Sequence, residues 1–384
     1  MDLGNSGSAS LHRRGARRVT LVATYRFAAH DLRSNTFLGD VPLVGTFTER
    51  LSRAGTLVGS LNLNDERAQA FLDATTPRRT VLWIDRDGAT IDAHIIWARQ
   101  TMSPTPTLML RGASIWSYFA RRRLIVTKGY AAWDQLAIAK DLLDWAQAQP
   151  GGNIGLTVEA NTSGRLRNRH PLAWDYEAKE IGTLVEQLAA VIDGFDFSID
   201  AARDASGIPF ATFRTHYPRR GRRVDVSGTT FTFTLNGNLL DIDVHEDEES
   251  RPNTVLAIGA GGGTSQIETP ARDTSEIDAG YPLLEATYVR KDISEADTLY
   301  DNAQGDLVRR QDSTLMTLRV DPDHEVSPLG SYVVGDDARI MIAAGEHPRF
   351  PRGLDTVMRI LERKITVRDT GADDVYLTMG AARG

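Results

Sequence analysis

The chain has 384 residues, 41% hydrophobic and 25% charged, with a net charge of −7 and no cysteine. That composition is the one expected of a soluble folded protein. The missing cysteines exclude disulfides, thiol catalysis and cysteine-ligated metals, and the negative balance weighs against bulk affinity for nucleic acid. Two or three domains are expected at this length, because single cores seldom grow beyond ~250–300 residues. No apolar run approaches the ~20 residues of a membrane helix, so no membrane span is expected.

In chain order, residues 1–16 are polar and then basic, and read as a flexible leader without the apolar core of a secretory signal. Residues 18–27 predict a first strand. Residues 50–63 predict a strand pair about a turn at 53–55, and 66–73 a short helix. Residues 80–84 and 90–97 predict a hairpin turned at Asp87-Gly88, with one more strand at 108–110. So many short strands predict a small barrel or sandwich over residues 17–112.

Residues 133–148 place Leu136, Ala139, Leu142, Leu143 and Ala146 on one helical side and stop at Pro150-Gly151-Gly152. A polar, basic loop is expected over 161–170. The stretch 175–200 predicts a helix, a stop and a strand. Ile181, Leu184, Val185 and Leu188 share a helical face, and Gly194 is expected as the left-handed cap. Phe195, Phe197 and Ile199 then alternate with Asp196, Ser198 and Asp200, as on a half-buried strand. A second strand at 210–217 completes a mixed α/β domain over 113–217. Strands return at 229–235 and 239–244, joined as a hairpin by Asn236-Gly237, and at 254–259. A helix is predicted over 293–310 from Ile293, Ala296, Leu299, Ala303 and Leu307. Further strands fall at 313–320, 332–343, 357–367 and 374–379. Residues 218–384 therefore predict a second β-rich, barrel-like unit with a helical insertion near 282–320. The predicted class is α+β and β-rich, with units that can be discontinuous in sequence.

No constellation predicts chemistry, so no catalytic, cofactor or metal residue is assigned. Residues 255–264, VLAIGAGGGT, begin like a dinucleotide-binding loop, but Thr264 holds the third glycine position and no helical stripe follows to hold a pyrophosphate. A mobile glycine loop is the better reading. The run Asp241, Asp243, His245, Glu246, Asp247, Glu248 and Glu249 departs from HExxH at Glu249 and reads as solvated charge, with oxygen ligation of a hard cation left open. Basic clusters at 13–18, 121–123, 165–170 and 219–223 lack interleaved aromatics and read as interchain ion pairs or solvated loops. No GxSxG elbow is present, and His94 is expected in a satisfied packing role.

The succession of elements resembles the baseplate-hub or tail-tip hub proteins of tailed bacteriophages, the minor tail proteins of siphophages of actinobacteria among them. The resemblance lies in the hairpin TVLWIDRDGATIDAHIIWAR (80–99), then TLVEQLAAVIDGFDFSID (183–200), NTVLAIGAGGG (253–263), YPLLEATYVRKDISEADTLYDNAQGDL (281–307) and SYVVGDDARIMI (331–342). It covers roughly residues 18–379. It implies a structural subunit of the virion, not an enzyme, with no cofactor. Two tail-tube-like barrels per chain would let a homotrimer imitate a six-part ring that joins the sixfold tube to threefold tip proteins. The implied neighbours are the distal tail protein, the C-terminal part of the tape-measure protein and tail fibres or receptor-binding proteins. DNA would pass through during genome ejection into the host cell without sequence-specific binding, a passage that negative charge suits. A cell-surface hydrolase and a receptor- or carbohydrate-binding tail protein are the alternatives; the latter predicts a solvent-facing aromatic patch.

Overall fold

The strand Thr80–Arg86 shows how the sequence builds the molecule. Successive side chains leave opposite faces of a strand, and here both faces are apolar. Leu82 and Ile84 enter one buried cluster, Val81 and Trp83 another. The computed structural model describes residues 23–382 apart from 65, 229–230, 247, 250, 292, 311–313 and 371–372. The expected leader and the basic cluster at 13–18 lie outside the described residues.

The first cluster runs the length of a 13-stranded sheet, from Phe27 and Phe47 to Ile340 and Leu377. In the N-terminal half, Val44–Arg50 pairs Thr56–Asn62, which pairs Thr107–Ser114, then Ala89–Met102, then Thr80–Arg86. Tyr25–Asp31 and Phe37–Asp40 complete this half. In the C-terminal half, Leu239–Glu246 pairs Thr314–Val320, then Asp373–Ala381, Leu354–Val367 and Asp337–Ile342. These five-strand orders are the same, and every pairing in both is antiparallel. Each half has one 14-residue strand, and each such strand breaks register once against its C-terminal neighbour, at 96–98 and at 360–362. The halves join where Leu354–Val367 also pairs Val44–Arg50. The ladder runs open from Leu239–Glu246 to Phe37–Asp40 and closes neither half on itself among the described residues.

The second cluster places the helices Gln135–Ala148 and Ile181–Ala189 and the strands Asp196–Arg203 and Pro209–His216 against the back of the N-terminal half. A satellite cluster packs Leu299, Ala303 and Leu307 of the helix Ala296–Arg310 on a three-stranded sheet. This unit is inserted between Leu239–Glu246 and Thr314–Val320, two strands that pair with each other.

Four local expectations are corrected. The left-handed residue after the helix is Asp193, φ +54°, not Gly194. Gly194 answers to space instead, since a Cβ there would lie 1.9 Å from the Ala189 carbonyl oxygen. Asn236-Gly237 turns the chain but makes no hairpin. Phe231–Thr234 runs parallel to Asp337–Ile342 while Leu239–Glu246 joins Thr314–Val320, because both arms find long-range partners that override the local turn signal. The basic loop contains a strand, Leu166–Ala173, paired with Lys128–Asp134. Ala296 faces solvent rather than the satellite core.

Trp116 ties the layers together. It is buried with ring centroids 4.5 Å from Phe197 and 5.6 Å from Phe213, and its Nε1 donates to Glu186 Oε1 at 2.7 Å. Trp116→Ala is expected to cost about 3–5 kcal/mol, by the lost contacts and the cavity left behind; urea denaturation followed by circular dichroism checks this.

Candidate functional site

The joint between the halves is the best-defined polar feature of the fold. Along it Ile365 faces Phe47, both buried, and the Thr46 and Thr366 hydroxyls lie 2.9 Å apart. Two residues beyond the Ile365–Phe47 rung, Arg363 faces Glu49, with Nη2 2.9 Å from Oε2. Arg363 is only 7% exposed, so removing either partner would strand a poorly hydrated charge.

Glu49 also receives Arg220 Nη1 at 2.8 Å. Arg220 belongs to the basic cluster at 219–223, which clamps the mixed α/β layer to the sheet. Arg219 pairs with Asp337, Arg222 with Asp336 at 2.7 Å, and Arg223 with Asp225. Asp196, first residue of its strand, accepts from the Arg220 backbone N–H at 2.8 Å and from Arg359. Burial pulls the Arg359 guanidinium below its ordinary value, and the Asp196 charge opposes that pull. The clusters at 121–123 and 165–170 are likewise engaged within the chain. Arg121 stacks 3.8 Å from the Trp97 ring centroid, Arg123 pairs with Glu180, Arg165 with Asp193 and Arg167 with Asp301. All three clusters hold ion pairs within the chain, and Arg165 and Arg123 remain half exposed as they do so. Planar guanidinium forks here join carboxylates from separate elements of one chain. Asp196 and Arg359 stand 163 positions apart, and no local pattern announces such a pair.

The remaining candidates do not converge on a reactive centre. The glycine loop leaves Thr254–Ile258, passes a short turn at Gly263–Ser265 and returns antiparallel as Glu268–Arg272. Asp241, Asp243 and His245 stand on the strand Leu239–Glu246, and Asp247 lies outside the described residues. No group of three or more His, Asp or Glu residues among those described could hold a metal ion. His94 is fully buried against Phe47. Its Nε2 lies 3.0 Å from Asp92 Oδ2 without hydrogen-bond geometry, and among the described residues neither ring nitrogen has a hydrogen-bond partner. A cleft of about 690 Å³ lies between the helices Ile181–Ala189 and Ala296–Arg310 and the sheet, with Glu186, Gly305, Arg359 and Glu362 in its wall.

Gly221 sets how closely the clamp approaches the sheet. Its φ is +91°, and a Cβ would lie 2.2 Å from the Gly335 carbonyl carbon. Gly88 has a similar φ of +83° with nothing within 4 Å. Gly221→Ala is therefore expected to cost roughly 2–5 kcal/mol and Gly88→Ala about 1 kcal/mol, read from paired denaturation curves. His216, 3.0 Å from Ser198 Oγ, is pulled below its ordinary 6.5 by burial and then by Arg220. Burial also lowers His30. Each is neutral when folded while the unfolded chain still binds a proton. Stability is thus full above pH ~6.5 and falls as pH drops through that value towards the folded pKa. His216→Gln is expected to shrink the loss between about pH 7 and about pH 5, measured by denaturant midpoints.

No protein-family model matches the chain, and no curated protein matches it by sequence. Solved structures do match over nearly its whole length. The tail protein from Neisseria meningitidis MC58 aligns with a TM-score of 0.56 at 13% identity, covering 93% of this chain and 96% of that one. The 43 kDa tail protein of prophage MuSo2 from Shewanella oneidensis gives 0.55 at 11% identity, covering 93% and 98%. The prophage tail protein gp18 from Listeria monocytogenes EGD-e gives 0.50 at 10% identity, covering 92% and 94%. At these identities the likeness is one of fold, and the β-rich α+β fold of this chain is that of phage tail proteins.

Proposed function

We propose that the chain is a structural hub subunit of a phage tail tip or baseplate, without enzymatic activity. Three copies form a ring that joins the sixfold tail tube to threefold tip proteins and surrounds the channel for DNA and the tape measure. The observation that carries this reading is the repeated five-strand order within one chain. Each half is read as one tail-tube-like barrel unit, so three chains supply six equivalent blocks. Heterologous contacts close into rings when the rotation permits. The distal tail protein caps the ring, the C-terminal part of the tape-measure protein enters its lumen, and fibres or receptor-binding proteins attach outside. The subunit assembles in the host cytoplasm and serves genome ejection from the virion tail tip. In this reading residues 17–112 and 218–384 carry the two barrel units, and residues 113–217 together with the inserted satellite unit dress the ring.

One observation favours a second role, as a receptor- or carbohydrate-binding tail protein. Trp174 and Tyr176 are 44% and 78% exposed, with their rings 12° from parallel at a centroid distance of 6.2 Å. Such a pair offers an apolar platform in water.

Electron microscopy of the native assembly tests the main reading. A threefold ring is expected, in which the two halves of each chain superpose. A monomer, or a ring whose halves do not superpose, would sink it. Binding of host cells by the isolated chain, abolished by Trp174→Ala, would support the second role.

A further inference from the structure

Within the chain the long strand of the C-terminal half, Leu354–Val367, has two partners on one side. Asp337–Ile342 covers its first residues and Val44–Arg50 its last. The long strand of the N-terminal half, Ala89–Met102, has only the first of these. Thr80–Arg86 reaches Ile95, and beyond the Arg78 bond to the Ile96 carbonyl no backbone pairing continues on that side among the described residues. Residues 99–102 are exposed. At the far end of the sheet Leu239–Glu246, the counterpart of Val44–Arg50, has the mirror deficit: beyond Thr314–Val320 its only backbone partner among the described residues is a single bridge at Leu239, and residues 240–246 have none on the outer side. One junction is used inside the chain, and both parts of a second junction of the same strand order lack that pairing among the described residues.

The ladders fix how these parts correspond. Ala98 faces Arg111, which faces Val58, which faces Thr46. Glu362 faces Thr378, which faces Thr317, which faces Asp243. Ala98 is thus the counterpart of Glu362, and Asp243 that of Thr46. One residue further on the long strands, Arg99 matches Arg363. Three residues further on the edge strands, Glu246 matches Glu49. Arg363 and Glu49 form the ion pair at the internal joint. The correspondence was set by strand order and register alone, yet it brings the same two charges together.

We infer that the outer edge of residues 99–102 in one copy pairs antiparallel with residues 243–246 of the strand Leu239–Glu246 in a second copy of this chain, with Arg99 opposite Glu246 and Met102 opposite Asp243. This rests on the ring reading and names the surfaces that close it. Both charges are free to change partners. Arg99 now reaches the Leu72 carbonyl oxygen, and Glu246 forms an ion pair with Arg349 that is half exposed on each side. Within one chain the two edges are not paired with each other among the described residues. An open acidic edge and an open edge carrying an exposed arginine also suit each other better than either suits itself.

The absence of cysteine makes the test clean. Chains carrying Met102→Cys are mixed with chains carrying Asp243→Cys and oxidised. The counterpart side chains Thr366 and Thr46 touch at 2.9 Å, so a disulfide is within reach. A disulfide-linked dimer is expected from the mixture and from neither variant alone, and a covalent trimer from the chain carrying both. Arg99→Glu is expected to weaken assembly about tenfold, and adding Glu246→Arg to restore it; both sites are exposed, and circular dichroism checks that each variant folds. Rings of trimer mass that never cross-link and ignore the charge reversals would overturn this interface while leaving the ring reading intact. A chain that stays monomeric at every concentration, as judged by light scattering, would overturn both. Capture of the edge by a different tail protein's strand, with no bond between copies, would overturn it too.

Discussion

The structure depends on one strand being too long for one neighbour. Leu354–Val367 spans 14 residues, and Asp337–Ile342 covers fewer than half of them on that side. The rest of that edge is filled by Val44–Arg50, from the opposite end of the sequence. This single pairing turns two β units into one sheet with one continuous apolar cluster. Backbone groups left unpaired on a buried edge would be costly, so the late strand cannot finish its ladder until the early one is in place. Arg363 and Glu49 then fix the register, since a one-residue slip would send every side chain to the wrong face and separate the two charges.

The mixed α/β layer obeys the same constraint at one remove. It cannot pack on the N-terminal half unless the back of that half is apolar, and Val81, Trp83 and Ile95 make it so. Its attachment is then pinned by Asp196, which holds Arg359 of the long strand and the backbone of Arg220 together. Buried arginines are expensive alone, and here each has a carboxylate from another element. Gly221 and Gly335 let the clamp lie against the sheet closely enough for those pairs to form.

Much of the local fold was legible because period and burial agreed. The hairpin at Asp87-Gly88 formed as read, with Asp87 and Gly88 both at positive φ, and Leu136, Ala139, Leu142 and Leu143 face the core at helical spacing. Misreadings arose where a local signal met a distant partner. Asn236-Gly237 has good hairpin chemistry, but Phe231–Thr234 and Leu239–Glu246 pair elsewhere. Leu166–Ala173 looked like a loop because its arginines are polar; Arg167 is nonetheless held by Gln135 and Asp301. The repeat between the halves was illegible for a different reason. Strand order and bulge position are properties of pairing, and pairing tolerates Thr46 in one half and Asp243 in the other. The arginine clusters were visible as charge, but their carboxylates lie far away in sequence.

An open sheet with unfinished edges is a hazard for a free subunit, because such edges invite unlimited pairing. Asp241, Asp243 and Glu246 place like charges along one edge, which opposes its pairing with a copy of itself. Phe37–Asp40 ends the other side as a strand of only four residues, and short edges propagate poorly. The remaining stretch, residues 99–102, presents Arg99 rather than acid. The edges are therefore guarded against themselves and not against each other, which is the charge pattern the proposed head-to-tail contact requires. Whether such contact ends in a fibre or a ring is set by the rotation between blocks. That rotation is already fixed once inside every chain, at the joint of Leu354–Val367 and Val44–Arg50. If the second junction repeats the first, each chain contributes two equal steps about one axis. A step built to match a sixfold tube then closes after three chains.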